Sequence, residues 1–116
     1  MTATGATATT PGGVDDVLTA LADPTRRRVL DVLAARGEAT ATTVAAELPV
    51  SRQAVVKHLA VLDAAGLVAG GRAGREVRYS VRSQQLDAAA RWLAGLAAEW
   101  DRRLDAIRRA AESRPE

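Results

Sequence analysis

The chain of 116 residues contains no cysteine and no phenylalanine, one histidine (His58), and only three aromatics, Tyr79, Trp92 and Trp100. Each shortage excludes a class of chemistry. Without cysteine there is no disulfide, no thiolate metal site and no cysteine nucleophile. One histidine gives a serine–histidine–aspartate triad or a His-rich zinc site little to draw on. No apolar run approaches the roughly 20 residues of a membrane span. The opening Met1-Thr2-Ala3-Thr4-Gly5-Ala6 lacks the basic start and apolar core of a secretory signal, so a cytoplasmic location is expected.

What is present points to a folded helical domain. Hydrophobic residues make up 47% and charged residues 26%, a globular rather than disordered balance. The length suits one domain. Alanine occurs 26 times, so the core must be built from Leu, Val and Ala, which suit packed helices. Fifteen of the 16 basic residues are arginine, the side chain that best forks onto phosphates and base edges. The net charge of +2 conceals an uneven distribution: residues 14–50 carry −2, residues 51–82 carry +4, and residues 83–116 are neutral. A central basic block is the first sign of a surface that faces a polyanion.

Along the chain, residues 1–13 are Thr, Ala and Gly without periodicity and read as a disordered tail, as do residues 113–116. Residues 14–22 form a first helix with Val14, Val17, Leu18 and Leu21 on one face. Asp23-Pro24 caps and starts a second, which Gly37 closes. Thr40 caps a short third helix that Pro49 stops near Leu48. Ser51 caps a fourth, residues 52–65, ended by Gly66. A short strand at 67–69, a turn at Gly70-Gly71-Arg72-Ala73-Gly74, and a strand with Val77, Tyr79 and Val81 facing inward make a hairpin. Ser83 caps a last helix running to Glu112. The expected fold is therefore mainly α with a small β-hairpin: a winged helix-turn-helix domain over residues 14–112, in which residues 84–112 form a dimerisation helix.

The third and fourth helices, joined through Leu48-Pro49-Val50-Ser51, must cross steeply. Val44, Leu48, Val50, Val55, Leu59 and Leu62 supply the contact, with Ala45 small at the closest approach. Setting aside the inward residues of the fourth helix leaves Arg52, Gln53, Val56 and Lys57 outward. Arg52 and Gln53 can fork onto guanine and adenine, Val56 can touch a thymine methyl, and Lys57 suits a phosphate or a guanine. Ser51 stands at a helix start that favours phosphate. Thr40 and Thr42, at the start of the third helix, join this DNA-facing set. Arg72 and Arg75 of the wing (residues 70–75) can follow the backbone or reach a minor groove. Singly, Arg52 or Lys57 reads as a solvated charge, and the wing as an ordinary hairpin; the assembled face is what indicates double-stranded DNA. His58 falls on the inner side of the fourth helix and is read as structural, hydrogen-bonded near the core.

These residues resemble a known family. Ala20-Leu21-Ala22-Asp23-Pro24-Thr25-Arg26 with Val29-Leu30 and Leu33 is similar to the opening of ArsR-family winged-helix repressors. Val50-Ser51-Arg52-Gln53-Ala54-Val55, then Lys57-His58-Leu59, Val61-Leu62 and Ala65-Gly66-Leu67-Val68, resembles their recognition helix, and Gly74-Arg75 with Tyr79 their wing. The resemblance spans residues 14–110 and implies a homodimeric transcriptional regulator, usually a repressor. The chain departs from the metal-sensing members. Thr40-Ala41-Thr42-Thr43-Val44 stands where they carry a cysteine pair, and the last helix has Asp87 and Glu99 but no histidine. Neither a metal nor another cofactor is expected. Val56 replaces a frequent serine, so the family's operator sequences do not transfer. Trp92-Leu93, Trp100-Asp101 and Arg103-Leu104 look like the branch without metal sites.

In the last helix Leu86, Ala90, Leu93, Ala97, Trp100, Leu104, Ile107 and Ala111 step by four and three, a heptad stripe with Trp92 beside it. About 29 residues at 1.5 Å each make a rod of roughly 44 Å, longer than the body of the domain can cover. A second copy of the chain is the expected partner of Leu86, Ala90, Trp92, Leu93, Ala97, Trp100, Leu104 and Ile107; a ligand pocket at Trp92 and Trp100 is the other reading. No enzyme is expected, since the acids lack a His or Cys partner and there is no Gly-rich phosphate loop. The rival to a DNA-binding regulator is a winged-helix adaptor that binds protein, for which the basic block would be unnecessary. Double-stranded RNA ranks low, because its major groove excludes a recognition helix. An inducer, its chemistry and the operator are not legible.

Overall fold

The computed structural model describes residues 13–113, and of the tails expected at 1–13 and 113–116, residues 1–12 and 114–116 lie outside the described residues. Among the described residues, five helices and a hairpin follow one another in the expected order: α1 (Val14–Leu21), α2 (Pro24–Arg36), α3 (Ala41–Glu47), α4 (Arg52–Ala64), β1 (Val68–Ala73), β2 (Glu76–Val81) and α5 (Gln84–Glu112). The chain thus has a mostly helical winged helix-turn-helix fold.

The junction of α1 and α2 is held by one short segment. The Asp23 carboxylate accepts from the backbone N–H of Thr25 at 2.7 Å and of Arg26 at 3.4 Å, with Pro24 in the first turn. The bond from the Thr25 amide is the main reason that this carboxyl sits below the usual carboxylate range; Arg26 and His58 add to it, and partial desolvation opposes it. Arg26 turns back and donates from Nε to the Ala20 carbonyl at 2.7 Å and from Nη2 to that of Thr19 at 3.3 Å. Arg27 donates to the Leu21 carbonyl. The carbonyls of Thr19, Ala20 and Leu21, at the end of α1, thereby gain partners from α2. The Asp23-Pro24-Thr25-Arg26 motif is a clamp between two helices, not a site.

The inner faces meet in one core. Val17, Val29, Leu33, Val44, Val55, Leu59, Leu62 and Leu67 are fully buried, and Ala20, Ala39, Ala41, Ala65, Val68 and Ala89 nearly so. No polar or charged residue is buried among the described residues. Leu21, Val32, Leu48, Val50, Tyr79 and Leu86 pack half-buried against this cluster. Of the face expected on α1, Val17 is buried and Leu18 half-buried, but Ala20 is the second buried residue. His58 is half-buried, as an inner residue should be. The expected hydrogen bond of its ring is not formed among the described residues; its charged neighbour is Asp23.

The hairpin differs from expectation. The sequence placed the turn at residues 70–74, but β1 continues to Ala73, with Val68 opposite Val81 and Ala73 opposite Glu76. The turn is Gly74-Arg75 alone. Gly74 has φ +68 and is the only one of the two with positive φ, the pattern of a two-residue type II′ hairpin. Gly70 lies inside the strand for a packing reason. A Cβ there would stand 3.0 Å from both the Tyr79 ring and Val77 Cγ1. The far edge of β2 is also engaged: Ala39 N–H donates to the Tyr79 carbonyl at 3.0 Å and Tyr79 N–H to that of Ala39 at 2.8 Å. This bridge ties the wing to the linker between α2 and α3.

Ser83 does not cap α5 as expected. Its backbone is already helical (φ −83, ψ −11) and its hydroxyl makes no cap bond. The helix nonetheless runs 29 residues. It docks on the core through Ala89 and Leu86 at its start, and beyond that point it leaves the body of the domain.

Candidate nucleic-acid interface

The recognition unit is fixed by two caps and a proline. Thr40 Oγ1 accepts from the Thr43 N–H at 3.2 Å and starts α3. Leu48, before Pro49, is extended (φ −128, ψ 151), which stops it. Val50 N–H donates to the Leu48 carbonyl at 2.8 Å, closing the turn around Pro49, and Val50 packs inward. Ser51 Oγ then accepts from the Ala54 N–H at 3.1 Å and starts α4. Because the caps and the apolar seam are both local features, this part of the fold was predicted closely.

Of the predicted DNA-facing residues, Ser51, Arg52, Gln53, Val56 and Lys57 all lie exposed at the start of α4. Val56 is 39% exposed. The hydroxyl of Thr40 is committed to the cap and to Thr43, whereas Thr42 is exposed beside Arg52, whose Nε donates to Thr42 Oγ1 at 3.1 Å. Arg75 stands in the wing turn, and Arg72 pairs with Val77 two residues before it. Both are exposed.

The structure adds a cleft of about 270 Å³ that joins the two halves of this surface, lined by Thr40, Ala41, Thr42, Arg52 and Val56 on the helical side and by Arg75, Glu76, Val77 and Tyr79 on the wing side, Glu76 being paired with Arg78. In sequence Tyr79 is an inward strand residue and part of the family-like wing, not one of the DNA-facing residues. Its place in the cleft depends on the Ala39–Tyr79 bridge, a contact forty residues apart in sequence that no local pattern discloses. Of the six bases in the central block, only Arg78 is in an ion pair among the described residues, with Glu76 at 3.3 Å and Glu38 at 3.9 Å. The other five remain available to an outside polyanion.

Other chemistry finds no comparable assembly. Among the described residues no three His, Cys, Asp or Glu side chains gather as a metal ion would need. No helix there is long and apolar enough to cross a membrane.

A helix pair joined by a tight turn, with an exposed polar recognition face and followed by a basic two-stranded wing, defines a winged helix-turn-helix regulator that binds DNA. Comparison with known proteins agrees. Residues 21–70 match the family model of a helix-turn-helix domain. The chain is 31% identical over 80 residues to the transcriptional repressor SdpR of Bacillus subtilis (strain 168), covering 69% of this chain and 88% of SdpR. It is 41% identical over 70 residues to the HTH-type transcriptional regulator YuzN of the same strain, covering 55% and 76%. The solved structure of an ArsR-like transcriptional regulator from Rhodococcus sp. RHA1 superposes with a TM-score of 0.77 at 46% identity, covering 87% of this chain and 94% of that one. The chain belongs to the ArsR family of transcriptional regulators.

Proposed function

We propose that the protein is a homodimeric repressor that binds an inverted-repeat operator, reading bases with the start of α4 and holding the flanking backbone with the wing. The observation that carries this reading is the continuity of the surface: Arg52, Val56 and Arg75 border one cleft, with Gln53 and Lys57 exposed beside it. In this reading Arg52 and Gln53 contact base edges, Val56 a thymine methyl, and Ser51, Lys57, Arg72 and Arg75 the sugar–phosphate strands, while Thr42 borders the same surface beside Arg52. Thr40 serves the same surface indirectly, by capping α3.

The dimer rests on α5. Trp92, Leu93, Leu96, Trp100, Leu104 and Ile107 are each between 41% and 65% exposed. Such a stripe on one helix is larger than a soluble monomer leaves uncovered. Leu96 was missed in sequence, because the stripe was drawn through Leu93 and Ala97 one position later. A two-fold dimer would present two α4 helices about 34 Å apart, one turn of DNA, which requires an inverted repeat. The repressor assignment draws on the resemblance to SdpR, a transcriptional repressor.

Fluorescence anisotropy of the full chain on its own upstream DNA, against a scrambled duplex and across a salt series, tests the reading. The expected result is a Kd of about 10⁻⁸ to 10⁻¹¹ M, roughly a thousandfold or more below that for the scrambled duplex, weakening steeply with salt. Equal, weak binding to both, and to a pool of randomised duplexes, would favour a protein-binding adaptor instead.

A further inference from the structure

Arg52 is the first residue of α4, where the helix dipole disfavours a cation. It takes part in no ion pair among the described residues. Its polar contact is instead a neutral one from another helix, Nε to Thr42 Oγ1 at 3.1 Å. A free surface arginine samples many rotamers and loses that freedom on binding. A bond at Nε fixes the plane of the guanidinium and leaves the Nη1 and Nη2 groups as an open fork, the arrangement that matches O6 and N7 of guanine. Val56, one turn along α4, walls the same cleft. An apolar wall to the cleft and a hydroxyl partner at Nε are what preorganise a planar donor.

Resting on the regulator reading above, we propose that Thr42 is a positioning residue for base recognition: its hydroxyl holds Arg52 ready to read a guanine, rather than contacting a phosphate. Thr42 then contributes to specificity at a base pair that it does not touch. A phosphate contact alone would lower affinity for every duplex by the same factor.

The test uses the full chain as wild type, Thr42→Val, Thr42→Ser, Arg52→Ala and the Thr42→Val/Arg52→Ala double variant, with thermal melting to establish that each is folded. Binding selection from a pool of randomised duplexes gives the preferred site, and titration on single-base-pair variants of that site gives the preference at each position. The wild type is expected to prefer guanine at one position of each half-site, and Arg52→Ala to lose that preference. Thr42→Val should bind the preferred duplex about three- to tenfold more weakly, the range of one hydrogen bond. It should bind duplexes already altered at that base pair as the wild type does. Thr42→Ser should restore the preference, and Thr42→Val should add nothing once Arg52 is alanine. A uniform loss across all duplexes, a loss that persists in the double variant, or no change overturns the positioning role while leaving Arg52 as a base reader. An Arg52→Ala variant that keeps the wild-type preference overturns both roles.

Discussion

Gly70 and Gly71 are neighbours of one residue type in one strand, yet their surroundings differ. A side chain at Gly70 would press on Tyr79 and Val77, whereas nothing lies within 4 Å of a side chain at Gly71. Two adjacent glycines before Arg72 look like a turn from sequence, because the usual reason for glycine is backbone freedom. Here the reason at Gly70 is cross-strand room for an aromatic ring. Gly70→Ala should therefore destabilise the fold by about 1–3 kcal/mol, the cost of overpacking. Gly71→Ala should be neutral or slightly stabilising, since it limits the unfolded chain without a clash. Urea unfolding of the two variants checks the contrast, and equal effects would remove the packing account.

At the scale of elements, what was legible followed from signals lying next to one another in sequence. Asp23, Thr40 and Ser51 each cap the helix predicted for them. Gly37, with φ +86, ends α2 as expected. Ser83 carries the same local signal as Ser51 and does not behave the same way. The chain enters α5 straight from β2, with Arg82 N–H held by the Leu67 carbonyl at 2.8 Å, and Ser83 is already in helical geometry rather than the extended geometry a capping residue adopts. Ser51→Ala should thus cost about 1 kcal/mol, within the range for a lost cap, and Ser83→Ala close to nothing. Thermal melts of the two variants measured side by side decide this; a matching loss at Ser83 would mean that its hydroxyl caps α5 in solution. The strand limits were less legible for the same reason. They depend on Tyr79 meeting both Gly70 and Ala39, one across the hairpin and the other from a distant linker.

At the scale of the whole molecule, the apolar surface is divided between a closed core and an open helix. Ala89 is buried and Ile107, on the same helix, is 65% exposed. Between them Arg103 lies 5.5 Å over the Trp100 ring while also pairing with Glu99, so the stripe is bordered by charges that can stay solvated when it is covered. Leu104→Glu places a carboxylate in the middle of the stripe and should convert the protein to a monomer at micromolar concentration, which sedimentation or light scattering would register. The core residues do not touch this position, so the melting curve of the helix-turn-helix body should retain its cooperativity. A variant that stays dimeric would place the seam elsewhere.

The two edges of the hairpin are not equivalent, and this bears on how the protein behaves when crowded. The outer side of β2 is already paired with Ala39 at Tyr79, whereas among the described residues β1 has a partner only in β2. An unpaired strand edge is a template on which further chains can add and grow into fibres. β1 presents Gly70, Gly71 and Arg72 along that edge: two weak strand formers and a charge that stacked copies would bring together. The glycines that make room for Tyr79 therefore also make the wing a poor seed. A regulator proposed to pair through α5 is left with little means of polymerising through its wing.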